Sequence, residues 1–172
     1  MNKGYRNLCQ KEIFGLLQKG LIRESNSLCN CYGFCVNKHS EQIRGVPRFS
    51  INYKPINSIL ENYTYLIPHK GSLIAKIVRA KVFSKFDMKF GFWQVDINYE
   101  DKFKTDFSIL AGHYEWNVMP FGLKHAPYKF QKVMDQIFKP YFEWLTVYLD
   151  DVLIFSNTID EHFRHIHTFL KL

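Results

Sequence analysis

An α+β protein, with an antiparallel sheet packed on helices, is the fold class that this 172-residue sequence predicts. Three observations carry the prediction. Residues 127–138 place Phe130, Val133, Met134, Ile137 and Phe138 at three- and four-residue intervals, the period of one buried helix face. Residues 145–155 hold two β-branched and aromatic runs with only Asp150 and Asp151 between them, which argues for a tight hairpin. Apolar residues make up 47% of the chain, enough for a real core, and the absence of low-complexity tracts excludes a disordered linker or a fibre.

The elements follow in chain order. Residues 11–20 put Ile13, Leu16 and Leu17 on one face with Gly20 as a stop, a short amphipathic helix. Phe34/Val36 and Phe49/Ile51/Tyr53 alternate as two strands around an exposed loop carrying Lys38, Arg44 and Arg48. A helix over residues 69–80 leads to a strand over 82–88 that ends in an aspartate, and residues 93–97 alternate as a further strand. Pro127 opens the helix already described. After the hairpin, Thr158 followed by Glu161 is an N-cap and capping-box partner for a last helix. No linker separates independent domains.

Residues 1–86 carry 14 Lys/Arg against 4 Asp/Glu, whereas residues 87–172 carry 9 against 12. That asymmetry suits a polyanionic partner held by the basic half and handled through cation-bound carboxylates in the other; charge alone leaves ordinary basic surface equally open. Four cysteines, Cys9, Cys29, Cys31 and Cys35, cluster in the first fifth, and reduced thiols are the better reading. No apolar run approaches a membrane span and the N-terminus lacks a secretory signal, so the expectation is an intracellular chain, cytoplasmic or nuclear, with no membrane partner.

An Asp-Asp pair repels itself unless a cation intervenes, although a solvated turn is the plain alternative. A third carboxylate, Asp87, ends a separate apolar strand. Three carboxylates at strand ends can converge on two divalent ions, whose hard oxygen ligands select Mg²⁺, and two such ions serve in-line nucleotidyl transfer. Cys29-x-Cys31-x₃-Cys35 lacks the paired spacing of zinc sites, and His162, His165 and His167 read as a solvated helix face.

Three segments then carry a family likeness. Residues 83–94 (Phe-Ser-Lys-Phe-Asp-Met-Lys-Phe-Gly-Phe-Trp-Gln), residues 112–127 (from Gly112 through Pro120-Phe121-Gly122 to Pro127) and Tyr148-Leu149-Asp150-Asp151 resemble successive motifs of a reverse transcriptase. The pattern is most similar to plant pararetroviruses of the caulimovirus family, petunia vein clearing virus-like members and their endogenous copies above all, with gypsy-type retrotransposons next. The resemblance runs from about Lys11 to Leu172.

It implies a fingers-and-palm fold, with fingers over 1–62 and 96–124, palm over 63–95 and 125–172, and no thumb in these residues. It implies RNA-directed DNA polymerase activity that adds dNTPs to a primer 3′-hydroxyl on an RNA or DNA template. The alternative is an inactive relic of an integrated polyprotein that retains the fold and weak nucleic-acid binding. Asp87, Asp150 and Asp151 would be the catalytic, metal-binding set for Mg²⁺, with Mn²⁺ as a substitute. Phe92 matches the gate that excludes a ribonucleotide 2′-hydroxyl, with a core aromatic as the other reading. Lys38 and Arg48 match the residues that grip the triphosphate, and either could be a solvated loop charge. Phe121 and Gly122 would line the nucleotide, and Lys124, Gln131 and Tyr148 the template-primer. Phe90, where a small residue is usual, and Asp106, where the family runs Thr-Ala-Phe, depart from the pattern. The parent polyprotein's thumb and RNase H would lie after Leu172, so these residues alone are expected to extend a primer weakly.

Overall fold

The computed structural model describes residues 3–36, 48–67, 70–110 and 112–172. The chain divides into two compact units, Met1–Glu61 with Phe92–Ala126, and Asn62–Gly91 with Pro127–Leu172. Among the described residues no helix is long and apolar enough to cross a membrane.

In the first unit, helix α1 spans Lys3–Gln18. It starts at Lys3 rather than Lys11, and its buried stripe runs Cys9, Ile13, Leu16. Gly20 ends it at φ 68, where the Gly20 N–H bonds the Leu17 carbonyl at 2.9 Å and the Leu21 N–H bonds that of Leu16 at 3.0 Å, both bonds of a Schellman motif. Cys9 is disulfide-bonded, which corrects the expectation of four reduced thiols; Cys29 and Cys31 are free.

Strands β1 (Ile22–Glu24), β2 (Cys31–Val36), β3 (Arg48–Asn52), β5 (Phe107–Ile109) and β6 (Gly112–Trp116) form one sheet in the order β1-β6-β5-β2-β3. The expected β2/β3 pair is antiparallel, from Tyr32 opposite Asn52 to Val36 opposite Arg48, and β2 also pairs with β5 in parallel. A short helix, α2 (Lys54–Ile59), follows β3. The core between α1 and the sheet centres on Ile13, Tyr53, Phe107 and Trp116. Burying each such side chain fully contributes about 1.5–3 kcal/mol.

Residues 93–97 are not a strand. Gly91–Gln94 forms a 3₁₀ turn, and only Asp96 makes an isolated bridge, with Val118. The reason lies in the side chains: Phe92 and Trp93 are neighbours in sequence and both meet Phe121, at ring distances of 5.0 and 6.1 Å. An extended backbone would send them to opposite faces.

In the second unit, α3 (Lys70–Ile77) precedes β4 (Val82–Asp87), α4 (Ala126–Phe138) leads into β7 (Leu145–Tyr148) and β8 (Asp151–Ser156), and α5 (Ile159–Phe169) closes the chain. The antiparallel sheet has the order β4-β8-β7. Register divides its faces. Val82, Ser84 and Phe86 share one face with Val152, Ile154 and Ser156, and α5 covers it, with the Phe86 and Phe169 rings 4.8 Å apart. Phe83, Lys85 and Asp87, all exposed, share the opposite face with Asp151 and Tyr148. The cap of α5 is as the sequence predicts: Thr158 Oγ1 accepts from the Glu161 N–H at 3.3 Å, and Glu161 accepts from the Asn157 N–H at 3.0 Å.

Candidate active site

Asp87 is the last residue of β4 and Asp151 the first of β8, and the two are direct register partners. Asp151 is also the partner of Tyr148 across the hairpin, so the two-residue loop is Leu149–Asp150 rather than Asp150–Asp151. The Met88 N–H donates to the Asp150 carbonyl at 2.9 Å and ties the end of β4 to this loop. Leu149 has φ 52, a left-handed conformation that a branched side chain resists by about 1–2 kcal/mol. Positive φ at the first loop position suits the right-handed twist of the strands, which explains why the loop accepts the strain.

Two other carboxylates flank Asp150. Burial, then the charges of Asp87 and Asp151, push its carboxyl above the ordinary carboxylate range. Its Oδ1 is buried without a hydrogen-bond partner. Asp151 is held by Lys85 Nζ at 2.9 Å, an exposed pair of small energetic weight. Among the described residues no three His, Cys, Asp or Glu side chains are drawn close enough to enclose an ion as they stand. The donor set nonetheless suits a hard divalent cation: it is all oxygen, it is negatively charged, and Asp150 Oδ1 is an acceptor that a cation would satisfy.

Gly91 keeps this carboxylate's surroundings tight. A Cβ on Gly91 would lie 2.5 Å from Asp150 Oδ1 and 2.8 Å from Phe130 Cζ, so only glycine lets the backbone pass there. Its neighbour Phe90 stands at φ 56 with its ring 48% exposed, so the departure from a small residue places a bulky side chain outward in a strained conformation.

Gln131, expected at the template-primer, is fully buried instead. Its amide donates to Asp135 Oδ1 at 2.8 Å and to the Val147 carbonyl at 3.2 Å, and its oxygen accepts from the Leu149 N–H at 2.8 Å. In this structure the Gln131 amide is spent on these internal bonds, one of them to the Asp150 loop. Tyr148 is half-buried and shares a sheet face with its register partner Asp151. Asp135 and Tyr65, whose hydroxyl donates to Asp135 Oδ2 at 2.8 Å, were not marked by the sequence reading. Asp135 stands four residues after Gln131 on α4, and that spacing was the available signal.

The first unit holds the remaining candidates. Phe92 is only 7% exposed and packs on Phe121, which is 41% exposed. Gly122 has φ 97, and Asn57 of α2 braces the loop around it: Asn57 Nδ2 donates to the Gly122 carbonyl and Oδ1 accepts from the Lys124 N–H, both at 2.8 Å. Asn57 was not marked by the sequence reading, since its role depends on a contact 65 residues away. Lys38 and the side chain of Arg48 lie outside the described residues.

Two polar groups elsewhere differ from expectation. His162 is buried, not solvated: Ser84 Oγ meets its Nε2 at 2.8 Å and Ser156 Oγ its Nδ1 at 2.9 Å, while His165 stacks on Trp144 at 4.5 Å. Asp106 is fully buried, with neither carboxylate oxygen hydrogen-bonded. Burial raises its carboxyl above the ordinary range, opposed in part by His113 at 3.8 Å.

Comparison with known proteins gives these features a family. The family model described as reverse transcriptase (RNA-dependent DNA polymerase) matches residues 36–172. The chain is 45% identical over 172 residues to the genome polyprotein of Petunia vein clearing virus (isolate Hohn), covering all of this chain and 8% of that protein. It is 42% identical over 161 residues to the enzymatic polyprotein of Cauliflower mosaic virus (strain Strasbourg), covering 94% of this chain and 24% of the other. The chain thus spans a quarter or less of the length of these relatives. The crystal structure of the prototype foamy virus protease-reverse transcriptase superposes with a TM-score of 0.85 at 25% identity, over 98% of this chain and 22% of that one. A foamy viral protease-reverse transcriptase in complex with an RNA/DNA hybrid superposes at 0.86 with 23% identity, over 99% and 22%, a likeness of fold. The α+β fold is that of reverse transcriptase fingers and palm, and the chain belongs to the reverse transcriptase family, with pararetroviral polyproteins among its similar relatives.

Proposed function

We propose that this domain catalyses RNA-directed DNA synthesis, adding dNTPs to a primer 3′-hydroxyl, with Met1–Glu61 and Phe92–Ala126 as fingers and the remaining unit as palm. The observation that carries the reading is the buried, unpartnered Asp150 Oδ1 between two further carboxylates at strand ends. Reverse transcriptases as a family work with divalent metal ions, and Mg²⁺, replaceable by Mn²⁺, would be held by Asp87 and Asp150 with Asp151 in support. Such ions supply neutralisation of charge on the transferring phosphoryl group.

The chain's own residues do the rest. The β4/β8 register sets Asp87 against Asp151, the Leu149–Asp150 loop fixes the buried carboxylate, and Gly91 keeps side-chain bulk away from it. Template-primer is the nucleic-acid partner this reading requires, and foamy viral relatives of like fold are described with dsDNA and with an RNA/DNA hybrid. Tyr148, on the sheet face it shares with Asp151, would meet the primer, and Lys124 the template. Phe121 and Gly122 would line the dNTP, Phe92 would exclude its 2′-hydroxyl, and Lys38 and Arg48 would bind its triphosphate.

The test is a single-nucleotide addition assay at high protein concentration with a primed template, dNTPs and Mg²⁺ or Mn²⁺. Metal-dependent addition that disappears in Asp150→Asn supports the assignment. Addition that survives Asp150→Asn overturns it.

A further inference from the structure

The strained loop that carries Asp150 has few bonds to hold it. Leu149 adopts φ 52, and its N–H donates to Gln131 Oε1 at 2.8 Å. An amide side chain can turn over and present its nitrogen where its oxygen was. In that orientation Gln131 would set a donor against the Leu149 N–H, and the loop would lose its anchor.

What prevents the turn is a carboxylate. Asp135 Oδ1 accepts from Gln131 Nε2 at 2.8 Å, and an ionised carboxylate offers acceptors only, so it fixes the nitrogen on its own side and the oxygen toward Leu149. The Val147 carbonyl, an acceptor as well, enforces the same orientation at 3.2 Å. Asp135 is in turn held by the Tyr65 hydroxyl, which donates to Oδ2 at 2.8 Å from the segment before α3. The chain Tyr65, Asp135, Gln131, Leu149 therefore runs donor to acceptor without a mismatch, and every polar atom of the buried Gln131 amide has a partner.

We propose that Tyr65 and Asp135 are positioning residues that fix the Leu149–Asp150 loop by dictating the orientation of the Gln131 amide. Their importance for catalysis rests on the nucleotidyl-transfer reading; their hold on the loop does not.

The test is amide hydrogen exchange of the full chain by NMR, with Mn²⁺ affinity measured in parallel. Asp135→Ala should speed exchange at Leu149 about tenfold, the order set by loss of one hydrogen bond, and leave Ile154 in mid-strand unchanged. Asp135→Asn should restore slow exchange, because its oxygen can face Gln131 and its nitrogen can donate to Tyr65 Oη. Tyr65→Phe removes a half-buried hydroxyl with little risk to folding and should give a smaller acceleration at the same site. Unchanged Leu149 exchange in both Asp135→Ala and Tyr65→Phe, or uniform acceleration across β7 and β8, overturns the proposal. Local acceleration in the two variants, together with a wild-type chain that binds no Mn²⁺, would uphold the positioning pair and defeat the functional reading instead.

Discussion

Replacing Gly91 by alanine adds one methyl group against Asp150 and Phe130. The new Cβ would stand 2.5 Å from Asp150 Oδ1, about 0.9 Å short of ordinary van der Waals contact, and 2.8 Å from Phe130 Cζ. Phe130 is fully buried and has nowhere to move without opening the α4 packing, so the carboxylate or the Gly91 backbone must shift. Overpacking of this size destabilises by about 1–3 kcal/mol. The displacement of Asp150 approaches the ~1 Å misplacement that lowers a positioned reaction by roughly a hundredfold. Two assays separate the effects: urea unfolding of the purified chain reads the first, and single-nucleotide addition per folded molecule reads the second. Wild-type stability together with wild-type addition in Gly91→Ala would refute both the close approach and the placement of Asp150 in the reaction.

Other expectations follow from particular contacts. The folded Asp106 carboxyl is raised above its unfolded value, so its contribution to stability is full below the unfolded value of about 3.8 and is lost as pH rises through the folded one. Asp106→Asn should remove that loss, and urea midpoints of the two proteins that move in parallel across the acid range would contradict it. Thr158→Ala deletes the α5 cap and should cost about 1 kcal/mol by calorimetry, with Thr158→Ser near neutral; equal losses in both would point away from the Oγ1 bond to Glu161. Phe92→Ala should lower the dNTP over rNTP preference in kcat/KM and, because Phe92 is buried against Phe121, also destabilise by about 3–5 kcal/mol. An unchanged preference would leave Phe92 as a packing residue alone.

Long, strongly patterned elements were legible in the sequence. The α4 stripe, the β7/β8 runs, the β2/β3 pair and the Thr158 cap each rest on contacts within a few residues or on a single repeating face, and the structure has them, with Ile137 of the stripe left exposed. The short strands β1, β5 and β6 carry three to five residues each and are defined by pairing across the chain, as when Ile22 meets Trp116, so no local pattern announces them. Residues 93–97 alternate like a strand, yet the joint packing of Phe92 and Trp93 on Phe121 overrides that pattern. The aspartates were legible because acidic residues at strand ends are conspicuous. The Gln131 relay was hidden, since an inward glutamine and a surface glutamine look alike until the hydrogen bonds of Leu149 and Asp135 are known.

The Leu149–Asp150 loop also bears on which sequence changes this site can survive. A point substitution there alters one side chain, but inserting or deleting a single residue would change which residue faces Tyr148 and, through β8, which faces Asp87. Successive strand residues point to opposite faces, so a slip of one would carry the second carboxylate from the open face into the layer packed under α5. Length variation should accordingly be tolerated in the loop that joins α4 to β7 and be forbidden between Tyr148 and Asp151. Libraries that scan single-codon insertions along the chain would show a sharp trough at that hairpin, narrower than any trough drawn by substitutions.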